Sequence, residues 1–184
     1  MRIIAGKYKS RRLAAPAGMD TRPTSDRLRE TLFNVVAPAV EGSVWLDLFA
    51  GTGAIGIEAI SRGARMVHFV ESSKRAVRTI RENLASLAIE EGFELIEREA
   101  ATALRMLDSQ AVSCDFCYLD PPYREMGDYE QVLGFLSQSQ VLNEGGTAIA
   151  EHDKHLDPGD TFGSLRRRRV LQQGDSVLSF YGRE

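Results

Sequence analysis

From Val44 onward, short apolar runs alternate with segments of helical period. Val44–Leu48, Met66–Val70, Phe93–Ile96, Phe116–Leu119 and Thr147–Ala150 read as buried strands, the last entered through Gly145-Gly146. Between them lie Ala54–Arg62, closed by Gly63, and a helix capped by Ser72 or Ser73 with Ala76, Val77, Ile80, Leu84 and Leu87 on one stripe. Ala101–Leu107 and Tyr129–Leu136 complete the helices of this region. Strands alternating with helices imply βα units feeding a parallel sheet. The pattern then changes: Arg168–Gln172 and Val177–Tyr181 flank Gly174-Asp175 with no helix between them, which predicts an antiparallel hairpin at the sheet's edge. Ahead of the sheet, Leu28, Leu32, Val35 and Val36 form a helical stripe behind the first-turn residues Pro23, Thr24, Ser25 and Asp26.

With 184 residues, 43% hydrophobic and 27% charged, the chain suits one soluble domain with a single large core. That domain is expected over residues 23–184, with residues 1–22 as a small extended arm that contributes little to the apolar stripe beginning at Leu28 and whose removal leaves the fold standing; the alternative is that the arm completes the fold by packing Ile3, Ile4 and Leu13 on the domain. No stretch approaches a signal peptide or the roughly 20 apolar residues of a membrane span, so the expected location is the cytoplasm, with no membrane partner. Cys114 and Cys117 stand three apart in a strand, where alternation sends them to opposite faces. Buried thiols are therefore expected, rather than a disulfide or a zinc site shared with His152 and His155, and no metal is assigned.

Charge is unevenly distributed. Residues 1–29 carry eight Lys or Arg against Asp20 and Asp26, a net of +6 that leaves −9 on the remainder. Arg2, Lys7, Lys9, Arg11, Arg12, Arg22 and Arg27 are the candidate contacts to a polyanion, and Arg166 to Arg169 form a second basic spot.

The loop Asp47-Leu48-Phe49-Ala50-Gly51-Thr52-Gly53-Ala54-Ile55-Gly56 follows a strand and opens a helix, and Glu71 ends the next strand. Glycines there let the backbone approach a nucleotide, and the acid can accept from ribose hydroxyls. A dinucleotide and S-adenosylmethionine share that geometry. Asp47 separates them, because a carboxylate at the strand's end opposes a pyrophosphate but suits the ammonium of a methionine moiety.

Asp120-Pro121-Pro122-Tyr123 ends the fourth strand on the same edge of the sheet. Two prolines fix the backbone and remove two donors, leaving carbonyl acceptors. Such a pocket suits an exocyclic amine whose N–H groups bond to Asp120 and the Pro121 carbonyl, while Tyr123 stacks on the base. These four residues are the candidate catalytic set.

The string Asp-x-Phe-Ala-Gly-Thr-Gly resembles motif I of class I methyltransferases, and Asp-Pro-Pro-Tyr resembles their amine-methylating motif IV. Arg2-Ile3-Ile4-Ala5-Gly6, Arg12-Leu13, Thr21 to Asn34 with its Arg-Pro-Thr-Ser-Asp-Arg core, Leu46–Gly53 and Glu58 to Ala64 extend the resemblance over nearly the whole chain. Together they resemble the bacterial 16S rRNA (guanine(966)-N(2))-methyltransferase family. The resemblance implies a Rossmann-like α/β fold with helices on both faces of a mostly parallel seven-stranded sheet whose last strand is antiparallel. It implies S-adenosyl-L-methionine as cofactor, held by Asp47, Phe49, Ala50, Gly51, Thr52, Gly53, Glu71, Ser72 and the backbone near Ala100. It also implies guanine N2 of 16S rRNA as target, within the assembled or assembling small ribosomal subunit; a monomer is expected.

An adenine-N6 DNA methyltransferase would share Asp120–Tyr123 but normally brings a separate target-recognition domain. A nicotinamide-dependent oxidoreductase would share the glycine loop and leave Asp120–Tyr123 without a role. A non-catalytic ribosome-assembly factor on the same fold is the third alternative.

Overall fold

The computed structural model describes residues 1–15, 25–121 and 126–184. The chain runs α1 (Asp26–Val36), β1 (Val44–Leu48), α2 (Ala54–Ser61), β2 (Met66–Val70), α3 (Lys74–Ser86), β3 (Phe93–Ile96), α4 (Ala100–Ser109), β4 (Cys114–Leu119), α5 (Met126–Gln138), β5 (Leu142–Asp153), β6 (Thr161–Phe162), β7 (Leu165–Gln173) and β8 (Ser176–Arg183). Among the described residues these strands form one sheet in the order β3-β2-β1-β4-β5-β8-β7-β6. Parallel pairing joins β3 through β5, and antiparallel pairing adds β8, β7 and β6.

The sheet thus has eight strands where seven were expected. The extra one, β6, is two residues long and pairs only with Leu165 and Arg166, too short to leave a pattern in the sequence. β5 is also longer than its apolar stretch, because Leu142 pairs with Cys114 and an irregularity in the pairing lets the strand continue across Gly145-Gly146.

Every residue of β1 is buried, as a central parallel strand covered on both faces requires. On one face Trp45 stacks between Phe33 of α1, at 5.1 Å, and Phe116 of β4, at 4.6 Å, in a core shared with α2 and α3. On the other, Leu46 and Leu48 pack with Leu104 and Leu107 of α4 and Leu133 and Leu136 of α5. Cys114 and Cys117 both belong to this second core, not to opposite faces. The irregularity between Cys114 and Phe116 breaks the alternation on which that expectation rested. Both thiols are free and buried, and burial pushes Cys114 up to about 12 and Cys117 well above the ordinary thiol value.

The N-terminal arm is built into the first core. Ile3 is 1% exposed and Leu13 6%, and a bridge between Arg2 and Arg12 closes the segment into a loop. Its anchor is Glu58 of α2, a carboxylate with no exposed surface that accepts the N–H groups of Ile4 at 2.8 Å and Ala5 at 3.0 Å. Arg62 donates to the same carboxylate at 2.7 Å, and Arg29, buried on α1, lies 3.9 Å from it. Gly6 sits so close to Ser61 that a Cβ would stand 1.8 Å from its carbonyl oxygen. The contacts favour the alternative of an arm that completes the fold: Ile3 and Leu13 are buried in the first core, Ile4 is half-buried, and the backbone donors of Ile4 and Ala5 are held by α2.

Candidate active site

Leu48, Val70 and Leu119 are in register on adjacent strands, so Phe49–Gly53, Glu71 and Asp120-Pro121 emerge side by side at the C-terminal edge. Strand order departs from β1 in opposite directions, to β2 and to β4, and open α/β sheets bind ligands at such a switch point.

The glycine loop turns through the left-handed region at Phe49 (φ +63°), Gly51 (+57°) and Gly53 (+76°). For Phe49 that conformation is strained by about 1–3 kcal/mol, and loop bonds hold it: Ala50 N–H to the Val70 carbonyl at 2.9 Å and Gly53 N–H to the Ala50 carbonyl at 2.7 Å. A Cβ on Gly56 would stand 2.2 Å from the Phe69 ring, so this glycine lets α2 lie on β2. At Gly51 a Cβ would meet nothing nearer than 3.9 Å, which leaves open space where a ligand can approach the backbone.

Gly53 is the N-cap of α2 and has no side chain to offer the helix's first N–H groups. Asp47 supplies the acceptor from below, with Oδ2 3.0 Å from Gly56 N. Only 1% exposed, it has its carboxyl raised from 3.8 to about 7 by burial, with the nearby charge of Glu71 adding and the Gly56 bond opposing. Glu71 bridges two loops: Oε2 accepts Gly51 N–H and Oε1 accepts Ser73 N–H, each at 2.8 Å. Ser73, not Ser72, caps α3, and Ser72 is exposed beside it. Ala50 is buried, Thr52 is half-buried, and Ala100 opens α4 across the edge.

Asp120 is half-buried directly after β4 and Pro121 is buried; Pro122 and Tyr123 lie outside the described residues. Two residues before Asp120 on β4, the Tyr118 hydroxyl donates to the Glu151 carboxylate, and Tyr129 donates to the Glu151 carbonyl at 2.8 Å. Of the basic candidates, Arg2, Lys7, Lys9, Arg11, Arg12 and Arg27 are exposed, with Arg11 donating to the Ser86 carbonyl at 3.0 Å. Arg22 lies outside the described residues.

Sequence reasoning missed Glu58, Asn83, Tyr118 and Glu151. Glu58 had a signal, an acid inside the apolar helix Ala-Ile-Gly-Ile-Glu-Ala-Ile-Ser, since such a charge is buried only with partners. Asn83 had none. Buried on α3, it accepts Ala14 N–H at 2.7 Å and donates to the carbonyls of Ala14 at 3.2 Å and Thr52 at 3.0 Å.

Fold and site together define a Rossmann-like class I methyltransferase. The family model described as "Conserved hypothetical protein 95" matches residues 1–182, and the chain belongs to that family. Ribosomal RNA small subunit methyltransferase D of Escherichia coli (strain K12) is 34% identical over 186 residues, covering 100% of this chain and 90% of that protein. The Haemophilus influenzae protein of the same name is 35% identical over 155 residues, covering 84% and 79%. Among solved structures, Escherichia coli yhhF superposes with a TM-score of 0.88 at 28% identity, covering 100% of this chain and 98% of that one.

Proposed function

We propose that the protein transfers a methyl group from S-adenosyl-L-methionine to the exocyclic N2 of a guanine in 16S rRNA of the small ribosomal subunit, in the cytoplasm. The observation that carries this reading is the convergence of the Gly51–Gly53 loop, Glu71 and Asp120-Pro121 on one sheet edge, in a chain whose relatives are named small subunit rRNA methyltransferases.

The residues present fit the cofactor. Open space before Gly51 admits close backbone approach, and a carboxylate has about four acceptor positions, so Glu71 can keep its two backbone bonds and still accept ribose hydroxyls. Asp47 sets the loop's shape and, once ionised, favours an ammonium; Phe49, Ala50, Thr52, Ser72 and the start of α4 at Ala100 complete the walls. The bound cofactor supplies an electrophilic methyl group on a sulfonium.

The lone pair of a guanine N2 amine is delocalised into the ring. Acceptance of its two N–H bonds by the Asp120 carboxylate and the Pro121 carbonyl draws the nitrogen towards a nucleophilic geometry, and Asp120 takes up the proton the amine sheds. Positioning and fixed electrostatics supply most of the acceleration. The exposed Arg2, Lys7, Lys9, Arg11, Arg12 and Arg27, with Arg22, provide the phosphate contacts.

Incubation with labelled S-adenosylmethionine and small subunits lacking the modification, followed by nucleoside mass spectrometry, tests the reading. N2-methylguanosine is the expected product. N6-methyladenosine, or no transfer, would overturn it.

A further inference from the structure

The basic cluster Arg166 to Arg169 takes no part in the cofactor or amine site, and the structure divides it in two. Arg166 donates to the Gly163 carbonyl at 2.7 Å and lies 3.3 Å from Glu184, while Arg167 is paired with Asp157 and Asp160. These two hold the 157–164 loop and the C-terminus in place.

Arg168 and Arg169 are exposed and differently arranged. Arg167 is opposite Tyr181 and Arg169 opposite Phe180, so Arg168 is the extra residue of a β-bulge. On a regular strand neighbouring side chains point to opposite faces. Here the bulge brings both onto one groove of about 620 Å³, between β7, the end of α1 and the N-terminal ends of β4 and β5. Arg168 is steadied by one bond to the Arg183 carbonyl at 2.7 Å. The Arg169 side chain makes no hydrogen bond or ion pair with any described residue, its backbone alone being paired, opposite Phe180. Two acids, Glu41 and Asp115, also line the groove, but Asp115 is engaged by Val44 N–H and the Asn143 amide, each at 2.7 Å.

We propose that this groove is a second rRNA-binding surface, in which Arg168 and Arg169 hold the phosphodiester backbone of the substrate at the edge of the sheet opposite the reacting base. The inference rests on the rRNA methyltransferase reading. Charge on the open edge of β7 would by itself discourage pairing with another chain. Edge protection does not require two guanidinium groups to converge on one cavity, whereas a phosphate with its several acceptor oxygens rewards it. The two sites lie at opposite ends of the strands, on the order of 17 Å apart along five residues, so the phosphates held in the groove are not those flanking the target base.

The test compares the Arg168→Gln/Arg169→Gln double variant with the unmodified protein, by binding to protein-free 16S rRNA over a salt series and by kinetics on whole subunits. Each lost phosphate contact lowers the salt slope by about 0.7–0.9, so two contacts reduce it by about 1.4–1.8. On subunits KM is expected to rise several-fold, with kcat and S-adenosylhomocysteine affinity unchanged. An unchanged slope and KM would overturn the proposal. So would a loss confined to whole subunits, which would assign the groove to a ribosomal protein. Should the double variant melt early, Arg169→Gln alone carries the test with half the slope change. Binding is read without turnover, so failure of the groove and failure of the methyltransferase reading are separate results.

Discussion

The carboxamide of Asn83 donates to the carbonyl of Thr52 in the glycine loop, and the same side chain grips the backbone of Ala14 on both its N–H and C=O. The basic arm at Ala14 and the candidate cofactor loop at Thr52 are therefore tied to one buried residue of α3. Asn83→Ala leaves the Ala14 N–H and the Thr52 carbonyl unpaired, at about 1–3 kcal/mol for each group that stays buried. Affinity for S-adenosylhomocysteine should fall by about tenfold or more in calorimetry. Unchanged affinity would show that the loop keeps its shape without the arm.

Removing residues 1–13 is expected to destabilise the domain. It uncovers the surface on which Ile3 and Leu13 pack, and strips two charge-assisted bonds from Glu58, which has no exposed surface. Burial of one such side chain is worth about 1.5–3 kcal/mol and a bond to a charged group about as much, so two of each come to about 6–12 kcal/mol, and after the conformational entropy of ordering the arm is set against that a net loss of about 4 kcal/mol is expected. For a chain of this size that lowers Tm by about 8–16 °C. A truncated protein melting with the full chain would show that the arm only rests on α2.

Asp47 makes stability depend on pH in an unusual direction. Its carboxyl titrates at about 7 in the folded chain against 3.8 ordinarily, so between those values the folded state holds a proton that the unfolded state has released. Stability should then fall as pH rises from about 4 to about 7, by at most about 1.4 kcal/mol per unit, and level off above. Asp47→Asn, which keeps an acceptor for Gly56, should remove this dependence in denaturant titrations at pH 5 and pH 7.5. A slope that survives the substitution would place its origin elsewhere.

Asp120→Ala should slow methyl transfer by about 10²–10³ with cofactor affinity nearly intact, as for deletion of one positioned polar group. Asn, which retains an acceptor, should slow it less. Turnover at the unmodified rate in single-turnover assays would remove Asp120 from amine activation.

β1, β2 and β3 were legible because each is a short apolar run between clear breaks, and their bounds fall where the pattern placed them. The glycine loop and Asp120 were legible because spacing along the chain carries their geometry. The first half of β5 was not, since Gly145-Gly146 reads as the entry to a strand at Thr147, whereas the strand begins at Leu142, paired with Cys114, and passes through an irregular stretch before Thr147 pairs with Phe116. The arm's place was hidden for another reason. Its strongest contacts are made by backbone N–H groups, which every residue except proline possesses, so nothing in Ile4 or Ala5 marks them as partners of Glu58.

Those contacts span 53 and 54 positions, and that separation bears on synthesis. A chain leaves the ribosome from its N-terminus, so the segment carrying Arg2, Lys7, Lys9, Arg11 and Arg12 emerges well before the carboxylate that secures it. Until α2 has emerged and settled on the sheet, this cationic leader has no place to dock and stays open to any polyanion nearby. The nascent protein thus passes through an interval in which its most basic part is loose, at the surface of a particle made largely of RNA.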